Sequence, residues 1–250
     1  MTGSKKVRAD QLLVEQGLCE TRSRAQALIM AGQVLDKDRP VAKAGQLLPR
    51  DAALRLRGKD HPWVSRGGVK LAGGLERFGV DPKGLICLDV GASTGGFTDV
   101  LLQAGAAKVY AVDVGQGQLA WSLRQDERVV VLERCNARYL DRAAVPDPID
   151  LLVCDASFIS LTLVLPAPLA LTAPGATLIA LIKPQFAVGK GAVGKGGIVR
   201  DPAQHQAVCE KVQGFLAQQS GWQVLGVTES PITGPDGNRE FLVAARREPD

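Results

Sequence analysis

Apolar runs of strand length alternate with segments of helix length through most of the chain. Five runs rich in aliphatic residues follow one another, at 85–89, 108–113, 129–132, 151–155 and 178–183. Continuous apolar runs of this length are typical of strands buried on both faces, and the segments between them are suited to crossover helices. The pattern predicts an α/β fold in which helices cover a mostly parallel sheet.

The pattern changes near the carboxyl terminus. Strand-like residues at 222–227 and 240–245 flank a turn rich in proline and glycine at 231–237. Two strands joined by such a turn are typical of a hairpin. We therefore expect a hairpin at one edge, so that a Rossmann-like sheet finishes with an antiparallel last strand.

The first quarter of the chain predicts two short helices. An apolar face that stops at Gly17 indicates a helix at 9–16. Thr21 is suited to cap a second helix at 22–31, and Gly32 is suited to end it.

Small strands are predicted after these helices. The apolar pair at 34–35 and the alternating residues at 54–57 indicate a hairpin sheet with basic outward positions. We therefore expect a small α+β domain at 1–60, a linker at 61–64 and the larger α/β domain at 65–250.

Charge is distributed unevenly between these parts. Residues 1–70 hold 14 Lys and Arg against 7 Asp and Glu, whereas the rest of the chain holds 16 against 19. An excess of positive charge in one segment favours a polyanionic partner, most simply a nucleic acid. A solvated basic face is the alternative.

The cysteine pattern predicts neither a metal site nor disulfides. The five cysteines include no CxxC pair, and only two histidines are available as further ligands, so we expect no structural zinc. Several cysteines fall within predicted strands, where free thiols pack as small hydrophobes in a reducing compartment. The basic amino-terminal residues lack the apolar core of a signal peptide, and we expect a cytoplasmic protein.

One uncharged segment, 156–182, is long enough to span a bilayer. Pro166, Pro168, Pro174 and Gly175 interrupt it. It is therefore better interpreted as a loop, a helix, a turn and a buried strand, and we expect no membrane partner.

A glycine-rich turn, DVGASTGGF at 89–97, follows the first predicted strand. Glycines let a backbone approach a ligand, and the next helix offers its amino end. A dinucleotide site prefers G-x-G-x-x-G, but Ser93 replaces the middle glycine, which suits the carboxypropyl end of S-adenosylmethionine better than a pyrophosphate. Asp113 is placed to bind ribose hydroxyls, and Asn136 to read an adenine edge, with a loop-capping role as the alternative for Asn136.

The segment GKGAVGKG at 189–196 is close to the phosphate-binding loop of NTPases. It lacks the Ser or Thr that would hold magnesium and does not lie directly between a strand and a helix, so we reject that interpretation. Lys190, Lys195 and Arg200 lie among its glycines or just after them. A lid over RNA phosphates and a merely flexible surface loop both remain open.

Two charged residues close two of the apolar runs. Asp155 ends the run at 149–155, and Lys183 ends the run at 178–183. Because open α/β sheets bind ligands at the carboxyl ends of their strands, we expect both side chains at that edge.

Two segments near the amino terminus carry a first resemblance, RSRAQALI at 22–29 and GQV at 32–34. They resemble the small RNA-binding module named for the fourth ribosomal protein of the small subunit. The resemblance covers roughly the first 60 residues and implies a structured RNA partner without naming a reaction. An unrelated small α/β domain is the alternative.

Six motifs in order carry a second resemblance: WVSRGGVK at 63–70, DVGASTGGFT at 89–98, GQLAWSLR at 117–124, DASFIS at 155–160, KPQF at 183–186 and GNRE at 237–240. The chain resembles the TlyA proteins, a family of S-adenosylmethionine-dependent ribosomal RNA 2′-O-methyltransferases often labelled hemolysins, within the wider FtsJ-like group. A sheet that ends in an antiparallel strand is typical of such enzymes.

The second resemblance implies an active site and its ligands. It implies a catalytic tetrad of Lys70, Asp155, Lys183 and Glu240, with Lys183 as the expected base and a cytidine ribose of ribosomal RNA as the expected target. Residues expected to bind the cofactor S-adenosylmethionine are Asp89, Gly91, Ala92, Ser93, Gly95, Gly96, Phe97, Asp113, Asn136 and Asp155. Residues expected to bind RNA are Lys5, Lys6, Arg8, Arg22, Arg24, Arg66, Lys190 and Lys195. We expect a monomer.

Three other functions remain to be weighed against an RNA methyltransferase. A membrane-lytic protein is disfavoured by the prolines in the apolar segment and by the amino-terminal residues. A non-catalytic RNA-binding assembly factor is disfavoured by the complete tetrad. A nicotinamide dehydrogenase is disfavoured by Ser93 and by the basic first domain.

Overall fold

The computed structural model of the protein describes residues 6–19, 21–57, 61–188, 196–234 and 237–249. The chain divides into two compact units, Met1–Pro62 and Trp63–Asp250. Trp63 and Val64, which we expected in a linker, therefore belong to the larger unit. The Val64 N–H donates a hydrogen bond of 2.7 Å to the Asp99 carboxylate.

The smaller unit contains two helices and five short strands. They are β1 (Lys6–Arg8), α1 (Ala9–Glu15), α2 (Arg22–Met30), β2 (Val34–Asp36), β3 (Arg39–Pro40), β4 (Leu47–Pro49) and β5 (Leu54–Leu56). β2 pairs with β3 and β5, and β1 pairs with β4, all antiparallel. The helices agree with prediction, and the Thr21 hydroxyl caps α2 by accepting the Arg24 N–H at 3.2 Å. β1, β3 and β4 were not predicted.

The larger unit alternates strands and helices as the apolar pattern predicts. They are α3 (Gly67–Phe78), β6 (Ile86–Val90), α4 (Gly96–Gln103), β7 (Lys108–Val112), α5 (Trp121–Arg124), β8 (Val129–Leu132), β9 (Ile149–Cys154), α6 (Leu161–Val164), α7 (Pro166–Ala170), β10 (Thr172–Ile182), α8 (Pro202–Ala217), β11 (Trp222–Glu229) and β12 (Phe241–Arg247). Short 3₁₀ turns cover Ala137–Tyr139 and Pro184–Phe186.

The strands of the larger unit form one seven-stranded sheet in the order β11-β12-β10-β9-β6-β7-β8. The five strands from β10 to β8 in this order run parallel, and β12 is antiparallel to both β10 and β11. The predicted α/β fold with an antiparallel last strand is confirmed. The hairpin lies at one edge of the sheet, where β11 is the edge strand and β12 lies inside it.

The sheet is buried on both faces. Successive residues of β9 face opposite sides: Leu151 packs into the apolar layer that includes Leu71 of α3, and Leu152 packs into the layer that includes Val212 of α8. Neither leucine is exposed to solvent. This two-sided burial explains why the parallel strands are continuous apolar runs without polar alternation.

The uncharged segment 156–182 folds as α6, α7 and the whole of β10, not as a membrane helix. The predicted turn at Pro174 and Gly175 is wrong. These residues lie within β10, where its register with β9 shifts between Thr172 and Thr177. In the described part of the chain, the helices are all too short or too polar to cross a membrane.

Candidate active site

Three neighbouring parallel strands end at one edge of the sheet. β6, β9 and β10 stop at Val90, Cys154 and Ile182, so that the glycine turn, Asp155 and Lys183 follow at the same edge. The strand order reverses beside β6, because β7 and β9 flank it, and this is the position where open sheets form a ligand crevice.

The antiparallel strand β12 brings a fourth residue to this edge. Ile182 at the end of β10 pairs with Phe241 at the start of β12. Glu240 comes immediately before Phe241 and therefore lies beside Lys183 on the neighbouring strand. Lys70 comes from the first turn of α3.

The four predicted catalytic side chains form two ion pairs. Lys70 Nζ lies 2.5 Å from Glu240 Oε2, and Lys183 Nζ lies 2.5 Å from Asp155 Oδ1. Lys183 also donates hydrogen bonds to the Asp155 carbonyl at 3.2 Å and to the Ser157 hydroxyl at 2.7 Å. Glu240 thus pairs with Lys70, and Asp155 pairs with the expected base, Lys183.

Two adjacent cavities meet at this edge. All four tetrad side chains line a first cavity of about 490 Å³, together with Arg66, the residue before α3. A second cavity of about 500 Å³ is lined by the segments that follow β7 and β8. The residues common to both cavities are Gly91, Ser93, Asp155, Ser157 and Phe158.

The glycine turn has the backbone that its sequence predicts. Gly91 and Gly95 have φ of 84° and 98°, and Ser93 has φ of 49°. A Cβ at Gly91 would lie 3.0 Å from the backbone of Asp155. A Cβ at Gly95 would collide with Leu123 of α5, so helix packing also requires a glycine at this position.

The remaining turn residues lie against the first cavity. Ala92 and the first residues of α4, Gly96 and Phe97, line it on the side of Ser65. A Cβ at Gly96 would collide with the Ser65 hydroxyl. The absence of a side chain therefore lets the amino end of α4 pack closely on the segment before α3.

Asp113 and Asn136 line the second cavity. The Asp113 carboxylate accepts the N–H groups of Ser93 at 2.8 Å and of Gly115 at 2.7 Å. The Asn136 side-chain oxygen accepts the Arg138 N–H at 3.1 Å, so the loop-capping alternative describes that oxygen.

Asp89 lies beneath the turn and is fully buried. Its Oδ2 accepts a hydrogen bond of 2.7 Å from the Thr98 hydroxyl. Its Oδ1 has no hydrogen-bond partner among the residues that the structure describes. Burial raises the pKa of Asp89 to about 7, because a charged carboxylate is poorly solvated inside the sheet.

Two of the predicted RNA-binding arginines make a structural contact. Arg8 and Arg22 donate to the Asp10 carboxylate at 2.9 and 3.1 Å, and Gln26 donates to it at 3.0 Å. The Arg8 hydrogen bond holds the pKa of the buried Asp10 well below its usual range. The arginine side chains stay about half exposed, 45% and 56%.

The other predicted RNA-binding residues are dispersed. Lys6 and Arg24 are exposed on the first unit, and Arg66 is exposed at the first cavity of the second unit. Lys5, Lys190 and Lys195 lie outside the described residues.

Sequence reasoning missed two residues of the site. Ser157 contacts Lys183, and Phe158 lines both cavities with 89% of its surface exposed. Phe158 has φ of 64°, a strained value for a residue with a side chain, and its ring lies 4.9 Å from that of Phe186. The motif DASFIS contains both residues, but nothing in it indicates the backbone strain.

In the described part of the chain, no three His, Cys, Asp or Glu side chains are grouped to hold a metal ion. The five cysteines are free thiols. Burial raises the pKa of Cys154 to about 12, which keeps it a neutral thiol next to Asp155.

Comparisons with known proteins agree with the two units. Residues 7–36 match the S4 domain, and residues 63–247 match the FtsJ-like methyltransferase family. A candidate rRNA methyltransferase of Bacillus subtilis is 50% identical over 241 residues, which are 96% of this chain and 85% of the relative.

Two further relatives cover nearly the whole chain. The 16S/23S rRNA (cytidine-2′-O)-methyltransferase TlyA of Mycobacterium tuberculosis is 48% identical over 248 residues, which are 99% of this chain and 92% of the relative. A solved structure of a candidate hemolysin from Streptococcus thermophilus has a TM-score of 0.76 and 43% identity, and the match covers 98% of this chain and 90% of that one. The protein therefore carries an S4 domain and belongs to the FtsJ-like methyltransferase family.

Proposed function

We propose that the protein transfers a methyl group from S-adenosylmethionine to a ribose 2′-hydroxyl of ribosomal RNA. The observation that carries this proposal is the convergence of Lys70, Asp155, Lys183 and Glu240 on one cavity beside the glycine turn. The Mycobacterium tuberculosis relative is named for methylation of cytidine ribose in 16S and 23S rRNA. We therefore propose cytidine as the target nucleotide.

The second cavity fits S-adenosylmethionine in size and in chemistry. Its volume of about 500 Å³ is typical of small-molecule sites. The bare backbone at Gly91 would admit the amino-acid end, Asp113 would accept from the ribose hydroxyls, and the free amide nitrogen of Asn136 would meet the adenine. When bound, the cofactor supplies a methyl group that its positively charged sulfur makes reactive.

Lys183 is the proposed base. A ribose hydroxyl is a poor nucleophile at neutral pH, so the enzyme must align the oxygen and accept its proton as the new C–O bond forms. Lys183 is held by Asp155 and Ser157 at the boundary of the two cavities. Its three contacts fix the nitrogen where a hydroxyl in the first cavity would reach it.

Lys70 and Glu240 would set the charge of the wall. Their pair is almost fully buried, and its two charges cancel at 2.5 Å. The cavity wall therefore carries the Lys70 cation and the carboxylates of Glu240 and Asp155. Lys183 must first release its own proton to solvent, and only the neutral amine can then accept the proton of the hydroxyl.

The RNA would be bound by both units. The basic excess of the first unit supports an electrostatic role, and the exposed Phe158 at the mouth of both cavities offers a face on which a base could stack. We propose 1–62 as the RNA-binding part and 63–250 as the catalytic part of a cytoplasmic monomer.

The position of the transferred methyl group tests the proposal. Purified ribosomal subunits that lack the modification are incubated with the enzyme and methyl-labelled S-adenosylmethionine. The RNA is then digested to nucleosides and analysed by mass spectrometry. Label in 2′-O-methylcytidine is the expected result, whereas label on a base, or on no nucleoside, would exclude the proposed reaction.

A further inference from the structure

Asn238 is a buried amide two residues before Glu240, with 1% of its surface exposed. Both ends of its side chain bind the segment that precedes α8. Its Oδ1 accepts the Val199 N–H at 2.9 Å, and its Nδ2 donates to the Gly197 carbonyl at 3.1 Å. A buried amide that satisfies an N–H and a carbonyl in this way fixes both segments relative to each other.

The backbone of Asn238 acts on the other side, toward the tetrad. Its carbonyl accepts the Gly234 N–H at 2.9 Å. Gly234 in turn lies against the Glu240 carboxylate, because a Cβ at 234 would lie 2.5 Å from Glu240 Oε1. The other oxygen, Oε2, contacts Lys70. Gly234 and Lys70 therefore enclose the carboxylate from two sides.

A second contact fixes the segment that Asn238 binds. His205 of α8 lies with Nε2 3.0 Å from the Val199 carbonyl, and its ring is 5.5 Å from that of Phe241. Phe241 follows Glu240 directly. Helix α8, the Gly197 to Val199 segment and the residues on both sides of Glu240 are thus joined by one set of buried contacts.

We propose that Asn238 is a positioning residue for methyl transfer, which holds the Glu240–Lys70 pair in its place at the cavity wall. The inference rests on the proposed function. Lys70 and Glu240 are 170 residues apart in the chain, and Glu240 lies on a connection outside the sheet ladder. The Ser230 N–H holds the Glu240 carbonyl at 2.9 Å, and the Asn238 amide adds a second fixed point two residues before it.

The test compares rate with binding in the full-length protein. Asn238→Ala should lower the single-turnover methylation rate by on the order of 10²-fold, since small displacements of catalytic groups have effects of that size. Affinities for S-adenosylmethionine and for ribosomal subunits should stay within about twofold, because the residue touches neither cavity. Asn238→Asp, which keeps the acceptor for Val199, provides the same test if the alanine variant does not fold.

Thr172→Val is the matched control for lost stability. The buried Thr172 hydroxyl donates to the Leu169 carbonyl at 2.7 Å, at the opposite end of β10 from Lys183. Its replacement should lower the unfolding temperature without changing the methylation rate. If Asn238→Ala changes only the unfolding temperature, as this control does, the positioning role is excluded.

A double-mutant cycle separates positioning from a general structural role. In a Glu240→Gln background, Asn238→Ala should lower the rate by less than about twofold more, because residues that act through one group are not additive. The full loss in both backgrounds would overturn the inference. An inactive wild-type enzyme would instead refute the proposed function itself, so the two failures are distinguishable.

Discussion

The two lysine–carboxylate pairs of the site have the same composition but different surroundings. The lysines are equally shielded, with 8% of the Lys70 side chain and 9% of the Lys183 side chain exposed. The acids differ, because Glu240 is 1% exposed and Asp155 is 20% exposed. Among the residues that the structure describes, only the second pair includes a further hydroxyl partner, Ser157.

This difference assigns a structural role to the Lys70–Glu240 pair and a catalytic role to the Lys183–Asp155 pair. A pair that is almost fully buried offers little surface to a substrate even where it lines a cavity, and removal of one partner leaves a buried charge without compensation. An open pair with an additional neutral partner can release its lysine to a new hydroxyl. We therefore expect changes at Lys70 to affect stability most, and changes at Lys183 to affect the rate most.

The largest expected effect is the loss of methyl transfer in Lys183→Ala. The rate should fall by about 10²–10⁴-fold, the usual contribution of a general base, while the unfolding temperature stays close to that of the wild type. Lys183→Arg should fail as well, because a guanidinium keeps the charge but cannot accept a proton at accessible pH. Single-turnover methylation of ribosomal subunits measures both variants.

A matched variant controls for charge. Lys211→Ala removes an exposed lysine of α8 that lines neither cavity, and should leave the rate unchanged. An active Lys183→Arg enzyme would show that position 183 acts by its charge alone.

The next effect concerns stability. Lys70→Met leaves Glu240 buried without its cation, which should reduce the free energy of unfolding by about 3–5 kcal/mol. The double variant Lys70→Met, Glu240→Leu removes both charges and should recover most of that loss. Urea unfolding measures these values, and a single variant as stable as the wild type would show that the pair is not sealed in solution.

Asp89 extends the comparison to a buried carboxylate without a cation. Burial raises its pKa to about 7 from 3.8. Between these values the unfolded chain releases the proton and the folded chain keeps it, so the free energy of unfolding should fall as pH rises. The decrease should reach roughly 4 kcal/mol at most and stop above pH of about 7.

Asp89→Asn tests this pH dependence. The amide keeps an acceptor for the Thr98 hydroxyl and has no charge to desolvate. Between pH 5 and pH 8 the free energy of unfolding should fall less in the variant than in the wild type, and the difference should be at most roughly 4 kcal/mol. Urea unfolding at each pH measures it. Equal pH dependence in both proteins would contradict a raised pKa.

The smallest effect is expected at Asp113, a carboxylate that lines the second cavity. Asp113→Ala should weaken S-adenosylmethionine binding by about 1–3 kcal/mol, through lost charge-assisted hydrogen bonds to the ribose. Calorimetry measures the affinity, with Asp126→Ala before β8 as the control. An unchanged affinity would remove Asp113 from the cofactor site.

The sequence predicts the positions of these charges better than their partners. Asp155 and Lys183 each follow a continuous apolar run, and parallel strands end at one edge, so their placement follows from pattern and topology alone. The partner of Glu240 does not, because it depends on how α3 packs against the sheet next to β12. No local pattern encodes a contact between residues 170 positions apart.

Local details below the length of a strand were also beyond the sequence. β1 and β4 have three residues each, too few for a period of two to be visible. Gly175 indicated a turn, although its positive φ of 78° is accommodated in a bulged strand. The hydrogen bond by which Asn136 caps the next turn could not be predicted, because it depends on the 3₁₀ conformation of Ala137–Tyr139.

The place of β12 inside the sheet has a consequence for the order in which the site is assembled during synthesis. Lys70 leaves the ribosome early, and the glycine turn and Asp155 follow, but Glu240 arrives only with the last strand. Because β12 pairs with both β10 and β11, it adds to the sheet edge that β10 forms, and β11 joins the sheet through β12. A nascent chain can therefore form the strands β6 to β10 before Glu240 joins the other three tetrad residues, and Glu240 does so only when β12 pairs with β10.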